Sequence, residues 1–362
     1  MLQEQYWYWL SKVEEVGGVA RTRLLQAFGS PEGIYRANEG ELNCTGIAQK
    51  AVRALLAPKY REGVFEEFHK LEERGIYFVV KGGTGYPGRL KELDGSPDFL
   101  FYRGELPDEK KPALAVVGAR ECSAYGRGMA NRLAEELAGA GIQIISGMAR
   151  GVDGHAQRAA LRYGKSFGVL GCGVDVCYPL DNFSLYEELI EKGGILSEYA
   201  PGSPGLAWHF PMRNRIIAGL ADGLLVVEAR KKSGTLITVE CALEQGKDVF
   251  AVPGRADDLL SEGCNELIRQ GACMATCSAD ILEGLLLHCT GSLNINKIEK
   301  NNFLLEDAEK IVYAYLRLEP KHIDEILLSV DFSLPELMKI LFSLEAKGIV
   351  YSPAGNYYAL QK

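Results

Sequence analysis

The first part of the chain has apolar residues at helical spacing. They recur through residues 7–13 and again through residues 24–35, and glycines such as Gly17 and Gly46 separate the segments. Apolar positions three and four residues apart lie on one face of a helix, so each segment can bury one side. This pattern predicts a small domain of short helices over residues 1–72.

Two segments of that domain have a more specific pattern. GGVARTRLLQAFGS (17–30) and CTGIAQKAVRALL (44–56) are both similar to a helix-hairpin-helix unit. In such a unit a glycine turn joins two helices and can point backbone N–H groups at a phosphate. A helical packing module without that role explains the same residues, so both interpretations stay open.

From Ile76 onward, short apolar strands replace the helical pattern. Near-continuous apolar strands, most of them followed by a helical stretch, are typical of a parallel sheet that helices cover on both faces. We therefore predict an α/β domain with a doubly wound parallel sheet over residues 73–287. The predicted strands are IYFVV, PDFLFYRGE, LAVVG, IQIIS, SFGVLG, GGILSEY, GLLVVEA and DVFAVPG.

The last part of the chain has a third pattern. Residues 288–303 are polar and lack periodicity, which is typical of a linker. Three short helical segments then precede two strands, with a turn predicted at Pro353-Ala354-Gly355. Helices followed by a hairpin in this order predict a winged helix over residues 304–362.

The charge is distributed unevenly along the chain. Its 362 residues include 40 Lys and Arg and 48 Asp and Glu, for a net charge of −8. Residues 256–362 carry 9 basic and 16 acidic side chains, whereas residues 112–255 carry 15 of each. The central domain can therefore present a basic surface to an anionic partner although the whole chain is acidic.

The sequence lacks the patterns of secreted and membrane proteins. Its N-terminus has neither the basic nor the apolar region of a signal peptide, and no apolar run approaches the roughly 20 residues of a membrane helix. The 9 cysteines have irregular spacing without CxxC pairs, which favours reduced thiols over disulfides. We expect a cytoplasmic protein that does not bind a membrane.

The residues that follow the predicted strands point to an anionic ligand. The carboxyl ends of parallel strands meet at one edge of a sheet, where ligands of this fold class bind. Glycines there let backbone N–H groups approach an anion, helix N-termini add a positive dipole end, and basic side chains add charge. Together these loops predict a phosphate-binding rim. In the series that begins with LAVVG, the candidates are Gly118 and Arg120 after the first strand, Ser146, Gly147 and Arg150 after the second, Gly171 and Gly173 after the third, and Lys231, Lys232, Ser233, Gly234 and Thr235 after the fifth.

A helix predicted to start near Pro211 extends this rim. Proline suits the first helical position, which places Arg213, Asn214 and Arg215 in the opening turns, where the helix dipole disfavours cations. A bound anion would offset that cost. Because the arginines are two residues apart, they cannot share a face, and one of them is a candidate for a structural ion pair. Phe210 is a candidate for stacking on a base or for packing in the core.

Candidate catalytic residues are few. Of 5 histidines, His155 and His209 lie in the rim region, and neither has an obvious nucleophile partner. Asp153 is predicted to cap its helix, whereas Glu198 and Glu228 end strands, where they can orient arginines. The sequence has no HExxH, nucleophile elbow or Walker lysine. We expect a binding protein, with no catalytic site, metal or cofactor.

The order and spacing of the strand-end motifs resemble one bacterial family, the DNA-processing protein A family (DprA, also called Smf). The flanking domains fit as well, because the family combines an N-terminal domain of sterile-alpha-motif or helix-hairpin-helix type with a C-terminal winged helix. The motifs lie within residues 110–275 and are VVGARECSAYG, ISGMARGVDGHAQRAAL, GVLGCGVDVCYP, GGILSEYAPGSPGLAWHFPMRNRIIAGLADGLLVVEA, SGTLITVECALEQGKDVFAVPG and SEGCNELIRQGA.

The resemblance implies an extended Rossmann-like domain that binds single-stranded DNA without sequence preference. It also implies a homodimer formed through that domain, and loading of the recombinase RecA on incoming DNA in natural transformation or homologous recombination. One departure is Gln157, at a position where many members have a histidine, so a reaction that depends on that histidine is not expected. The DNA-pocket positions of the family correspond here to Arg120, Ser146, Gly147, Arg150, Phe210, Arg213, Asn214 and Arg215.

Two other functions stay open on the sequence. SGTLIT before a helix resembles the phosphate loop of phosphoribohydrolases that act on nucleotides, but Thr238 stands where that pattern has its catalytic glutamate and Glu240 is out of register. The second is an interaction or regulatory scaffold that acts through the winged helix. Residues 300–362 hold 7 basic and 9 acidic side chains, a poor match for a phosphate backbone, so we expect this domain to bind protein more than DNA.

Overall fold

The chain divides into two compact units, residues 1–294 and 295–362, in a computed structural model. Each unit has its own hydrophobic clusters. The residues that the structure describes are 3–288, 308–309, 312, 316, 320–330, 332–347 and 349–360.

The first unit begins with short helices. These are α1 (Glu4–Lys12), α2 (Gly18–Phe28), α3 (Pro31–Arg36), α4 (Glu39–Asn43), α5 (Gln49–Leu56), α6 (Pro58–Arg61), α7 (Val64–His69) and the 3-10 helix Glu72–Arg74. Tyr8 and Trp9 on α1 are buried, and the ring centroid of Tyr8 lies 6.0 Å from that of Phe101 in the central sheet. The helices therefore share a hydrophobic cluster with one side of the sheet. The helical prediction for residues 1–72 is confirmed, and a domain boundary at residue 72 stays a prediction.

A sheet of nine strands among the described residues forms the centre of the first unit. The strands are β1 (Tyr77–Val80), β2 (Phe99–Gly104), β3 (Ala113–Val117), β4 (Gln143–Ser146), β5 (Ser166–Val169), β6 (Gly194–Ser197), β7 (Gly223–Val226), β8 (Asp248–Ala251) and β9 (Cys273–Met274). Their order across the sheet is β1-β2-β6-β5-β4-β3-β7-β8-β9. The pairs β1–β2 and β2–β6 are antiparallel, and the other neighbours are parallel.

The predicted doubly wound parallel sheet is confirmed. Every predicted strand is present, and the strands from β3 to β7 are buried along their whole length, which explains their near-continuous apolar runs. The prediction missed β9, because two residues are too few to show a pattern.

Helices cover both faces of the sheet. They are α8 (Gly88–Lys91), α9 (Ala124–Gly139), α10 (Val152–Ala160), α11 (Phe183–Lys192), α12 (His209–Leu220), α13 (Thr235–Glu244), α14 (Glu262–Arg269), α15 (Ser278–His288) and the 3-10 helix Leu180–Asn182. Helices α9, α10 and α15 pack against the face that holds Leu114 and Val116, whereas α8, α12, α13 and α14 pack against the face that holds Ala115. No described helix is both long and apolar enough to cross a membrane.

The second unit is small and contains a hairpin. Its described elements are β10 (Lys321–His322), α16 (Ile323–Leu327), α17 (Leu334–Ala346), β11 (Val350–Ala354) and β12 (Tyr357–Leu360), with the strand order β10-β12-β11. This arrangement agrees with the predicted winged helix. The predicted turn is wrong for Pro353 and Ala354, which belong to β11, and correct for Gly355, where the chain reverses together with Asn356 at φ of 64°. Residues 289–303 of the predicted linker, and most of the first predicted helix of this unit, lie outside the described residues.

Candidate functional site

A cleft lies at the carboxyl ends of the central parallel strands. Strand β3 pairs in parallel with β4 on one side and with β7 on the other. The chain adds β4, β5 and β6 on the first side of β3 and then β7 and β8 on the second side, so a topological switch point lies at β3. Open α/β sheets bind ligands at such a point. The cleft contains two cavities. The first, here named the helix cavity, has a volume of about 400 Å³ and is bounded by α12, α13 and the loop after β3. The loop cavity, of about 430 Å³, is bounded by α12 and the loops after β3, β4 and β5. Arg120, Ala149, Phe210 and Arg213 line both cavities.

The structure brings most of the predicted site residues together in this cleft. Those that line one or both cavities are Gly118, Arg120, Gly147, Arg150, Phe210, Arg213, Asn214, Ser233, Gly234 and Thr235. Those that line neither are Ser146, Gly171, Gly173, Arg215, Lys231 and Lys232.

Three of the residues outside the cavities serve the packing beneath them. The Ser146 hydroxyl is buried and donates to the carbonyl oxygen of Val116 at 2.6 Å, so it joins β4 to β3. A Cβ on Gly171 would come within 3.0 Å of the Phe210 ring, and one on Gly173 would come within 3.0 Å of the carbonyl oxygen of Ala200. The two glycines therefore make room for neighbouring groups.

The loop of residues 147–151 is held by side chains of its surroundings. Met148 has φ of 54°, a conformation that non-glycine residues rarely adopt, and its N–H donates to Oε1 of Gln157 at 3.0 Å. Nδ2 of Asn182 donates to the carbonyl oxygens of Met148 and Ala149, both at 3.0 Å. Gln157 also donates to β5, so the loop is fixed before any ligand arrives.

Arg213 lies beneath this loop. Its side chain is 5% exposed, and Nη1 donates to the carbonyl oxygens of Gly147, at 2.9 Å, and of Val169. The carboxylate of Asp153 accepts from the N–H of Gly147 at 3.2 Å. Burial lowers the pKa of Arg213 to about 10 and raises that of Asp153, and the charge of each residue opposes the shift of the other. The prediction that Asp153 caps its helix is wrong, because its carboxylate binds the loop instead.

The neighbours of Arg213 point elsewhere. Nη2 of Arg215 forms an ion pair with Glu198, and both side chains are largely buried. This is the structural ion pair that the spacing of the two arginines predicts, and Asn214 between them lines the helix cavity. Glu228 contacts no arginine among the residues that the structure describes, and it accepts from the N–H of Ser123 at 2.9 Å and from its hydroxyl at 2.5 Å.

Exposed basic side chains flank the cavities. Arg120 lines both of them and has no ion-pair partner within the described part of the chain. Nη2 of Arg150 lies 2.6 Å from Oδ2 of Asp181, but both side chains are 63% exposed, and such a pair is weak. Lys231 and Lys232 are exposed directly before Ser233. The mouth of the cleft is therefore available to an anion.

An aromatic wall borders the loop cavity. The wall consists of Tyr178 and Phe210, whose ring centroids lie 5.2 Å apart. Tyr178 is exposed, and so is Leu180, which lines the same cavity. Tyr178 and Leu180 are not among the residues predicted from the sequence, because the pattern does not show which side chains after β5 turn toward the cleft. The available signal was an aromatic residue directly before Pro179 in the motif CGVDVCYP.

The N-terminus of α13 borders the helix cavity. The Oγ of Ser233 is buried and has no hydrogen-bond partner among the described residues. The N–H groups of Gly234 and Thr235 also have no partner in that part of the chain. These open donors and the positive end of the helix dipole favour an anion.

The two histidines of this region, His155 and His209, line neither cavity. His209 is buried, with Nδ1 2.9 Å from the carbonyl oxygen of Gly171, and its ring stacks on Tyr199 with centroids 3.8 Å apart. Burial and the charges of Arg127 and Arg158 lower the pKa of His155. The described residues contain no cluster of His, Cys, Asp and Glu that could hold a metal ion.

Comparison with known proteins gives the family. A family model described as DNA recombination-mediator protein A matches residues 77–286, a range that contains β1 to β9 and every residue of the two cavities. The chain belongs to this family. The resemblance to DprA and Smf that the motifs indicate is thereby confirmed.

Relatives of the DprA family match over much of their length. Protein Smf from Escherichia coli K12 is 37% identical over 330 residues, which cover 89% of this chain and 87% of that protein. The X-ray structure of DprA from Streptococcus pneumoniae has a TM-score of 0.63 at 35% identity and covers 77% of this chain and 95% of that chain. A structure of DprA from Helicobacter pylori, described for its single-stranded DNA binding mode, has a TM-score of 0.53 at 29% identity and covers 59% of this chain and 96% of that chain.

Proposed function

We propose that this chain binds single-stranded DNA in the cleft without preference for base sequence. The observation that carries the proposal is Arg120, an exposed guanidinium without an ion-pair partner in the described residues, which lines both cavities beside the aromatic wall. The single-stranded DNA binding described for the Helicobacter pylori relative supports it.

Charge and stacking account for this binding. Arg120 and Arg150 hold phosphates and release counterions, while Tyr178 and Phe210 offer rings on which bases stack. A single strand exposes the faces of its bases, whereas a duplex hides them, so the aromatic wall selects the single strand. Stacking tolerates every base, which makes the binding independent of sequence.

The bound strand is then passed to RecA in natural transformation or homologous recombination. The description of the family as a recombination mediator supports this role, because a mediator acts between DNA and a recombinase. In this proposal the chain acts in the cytoplasm as a homodimer formed through the Rossmann-like domain. It acts by binding and catalyses no reaction of its own.

A salt titration of DNA binding tests the central claim. We expect Arg120→Ala to weaken binding to oligo-dT about tenfold, since a charge-assisted hydrogen bond to a phosphate is lost. The slope of log affinity against log salt should fall by about 0.7, the value for one phosphate contact on a single strand. Fluorescence anisotropy with labelled oligo-dT and with duplex of equal length measures both effects.

Arg36→Ala is the matched control, because it removes an exposed arginine on α3 that pairs with Glu32 and lines neither cavity. This variant should bind like the wild type. Equal affinity of the wild type for oligo-dT and duplex, or an Arg120→Ala variant that binds as well as Arg36→Ala, would contradict the proposal.

The cavity lining favours binding over nucleotide hydrolysis. Among the described residues, Asp153 is the one carboxylate that lines the helix cavity, and it is engaged with Gly147. Glu240 lines neither cavity. We therefore expect no release of base from nucleoside monophosphates in an assay of the purified chain.

A further inference from the structure

The helix cavity contains polar groups that the protein leaves without partners. The side chain of Asn214 has no hydrogen bond within the described residues, and the Oγ of Ser233 is buried and unpaired. The Nε of Arg213, on a side chain that is 5% exposed, is also unpaired. Buried polar groups are normally satisfied, so the two buried groups, Ser233 Oγ and Arg213 Nε, indicate a polar ligand. The half-buried Asn214 adds a third open polar group.

The charges around this cavity favour an anion. Arg120 and Arg213 both line it, and the N-terminus of α13 adds a positive dipole end. The carboxylate of Asp153 also lines the cavity, but it accepts from the N–H of Gly147 and is balanced by Arg213. The charge of Arg120 and the dipole of α13 therefore leave the cavity with a net positive charge.

The donors reach the cavity from three elements. Arg120 comes from the loop after β3, Asn214 from α12, and Ser233 with the N–H of Thr235 from the start of α13. A phosphodiester inside a strand has two free oxygens and one negative charge. A phosphomonoester has three free oxygens and a charge of about −1.5 to −2 at neutral pH, so it suits donors on three sides better.

We infer that the helix cavity is a site for a phosphomonoester, carried by the terminal nucleotide of a DNA strand or by a free nucleoside monophosphate. This inference rests on the proposed function, because the loop cavity and its aromatic wall would hold the nucleotides next to the terminal one. The volume of the helix cavity, about 400 Å³, lies within the range of small-ligand pockets. The cleft would then bind the end of a strand more tightly than its interior.

Binding of the full chain to three forms of one oligo-dT tests this inference. The forms carry a 5′-phosphate, a 3′-phosphate or hydroxyls at both ends, and anisotropy measures each affinity. We expect one terminal phosphate to raise the affinity about tenfold over the hydroxyl form, because it adds charge-assisted hydrogen bonds. Thymidine monophosphate and inorganic phosphate serve as competitors in a second arm.

Variants assign the effect to the cavity. In Ser233→Ala, the affinity for the preferred phosphorylated oligonucleotide divided by the affinity for the hydroxyl form should be close to one. Thr84→Ala is the control, because Thr84 is exposed in a turn and lines neither cavity, and it should keep the ratio of the wild type. Competition by thymidine monophosphate without a preference between the oligonucleotides would assign the site to free nucleotides.

Equal affinity for the three oligonucleotides together with no competition would overturn the inference. That result leaves the proposed function intact if the hydroxyl form and circular single strands still bind. Loss of binding to those two ligands would instead count against the proposed function itself.

Discussion

At the residue scale, four positions of one short motif have different roles. In the segment FPMRNR, Phe210 forms part of the aromatic wall, Arg213 supports the 147–151 loop, Asn214 lines the helix cavity and Arg215 pairs with Glu198. Successive helical residues point about 100° apart, so neighbours in sequence face different surroundings.

The buried carboxylate of Asp153 leads to a stability prediction. Asp153→Ala should lower the free energy of unfolding by about 1–3 kcal/mol, because it leaves the N–H of Gly147 without its acceptor and removes a negative charge that favours the buried Arg213 guanidinium. Urea denaturation followed by tryptophan fluorescence measures the change. A loss below about 1 kcal/mol would show that the carboxylate does not compensate Arg213.

Asp181→Ala is the control, because it breaks the exposed pair with Arg150. This variant should change the free energy of unfolding by less than about 1 kcal/mol. The variant also frees Arg150 from its ion pair, so the affinity of Asp181→Ala for oligo-dT should be at least that of the wild type.

At the scale of elements, two loops approach each other closely to form the cleft. Gly151, which directly precedes α10 as its N-cap, has φ of 73°, and a Cβ there would come within 3.0 Å of the carbonyl oxygens of Ala119 and Arg120. The loop after β4 therefore touches the loop after β3 through backbone atoms. Glycine is needed for both the conformation and the approach.

Gly151→Ala should accordingly lower the free energy of unfolding by about 2 kcal/mol or more and weaken the binding of oligo-dT. The physical reason is that the added methyl group moves the loop that carries Arg120. Gly128→Ala is the matched control, because Gly128 lies inside α9 with open space around its Cα. That variant should be stabilised by about 0.5–1 kcal/mol, and comparable behaviour of the two variants would contradict the prediction.

At the scale of the whole molecule, the two units differ in the surface they offer. The cleft of the first unit has exposed cations, whereas the second unit has a row of exposed apolar residues on α17, namely Leu334, Met338 and Phe342. Residues four apart share a helix face, so these three form one apolar stripe. Such a stripe suits contact with protein more than contact with phosphate.

Removal of residues 300–362 should therefore leave the affinity for oligo-dT within about threefold of that of the full chain. This corresponds to a change in binding free energy of less than about 0.7 kcal/mol. Anisotropy with the truncated and full-length chains measures the ratio. A collapse of single-strand affinity in the truncated chain would show that the second unit takes part in DNA binding.

The fold could be predicted in large part because its strands are buried on both faces. Continuous apolar runs such as LAVVG are a strong local signal, and the glycines and arginines after them mark the edge where ligands bind. The antiparallel pairing of β2 with β6 has no such signal, because pairing joins residues that are distant in sequence. The hairpin turn was misplaced because Pro353 is tolerated in a strand.

The sequence by itself determined the class of fold, the family and the loops that surround the cleft, because strand periodicity, glycine turns and motif spacing are local properties. Only the tertiary structure decided which side chains of those loops are open to a ligand. Arg120 and Arg213 look equivalent in sequence, yet one is exposed beside the cavities and the other is buried beneath a loop. Burial depends on the whole packing of the sheet and its helices, and no single segment specifies it.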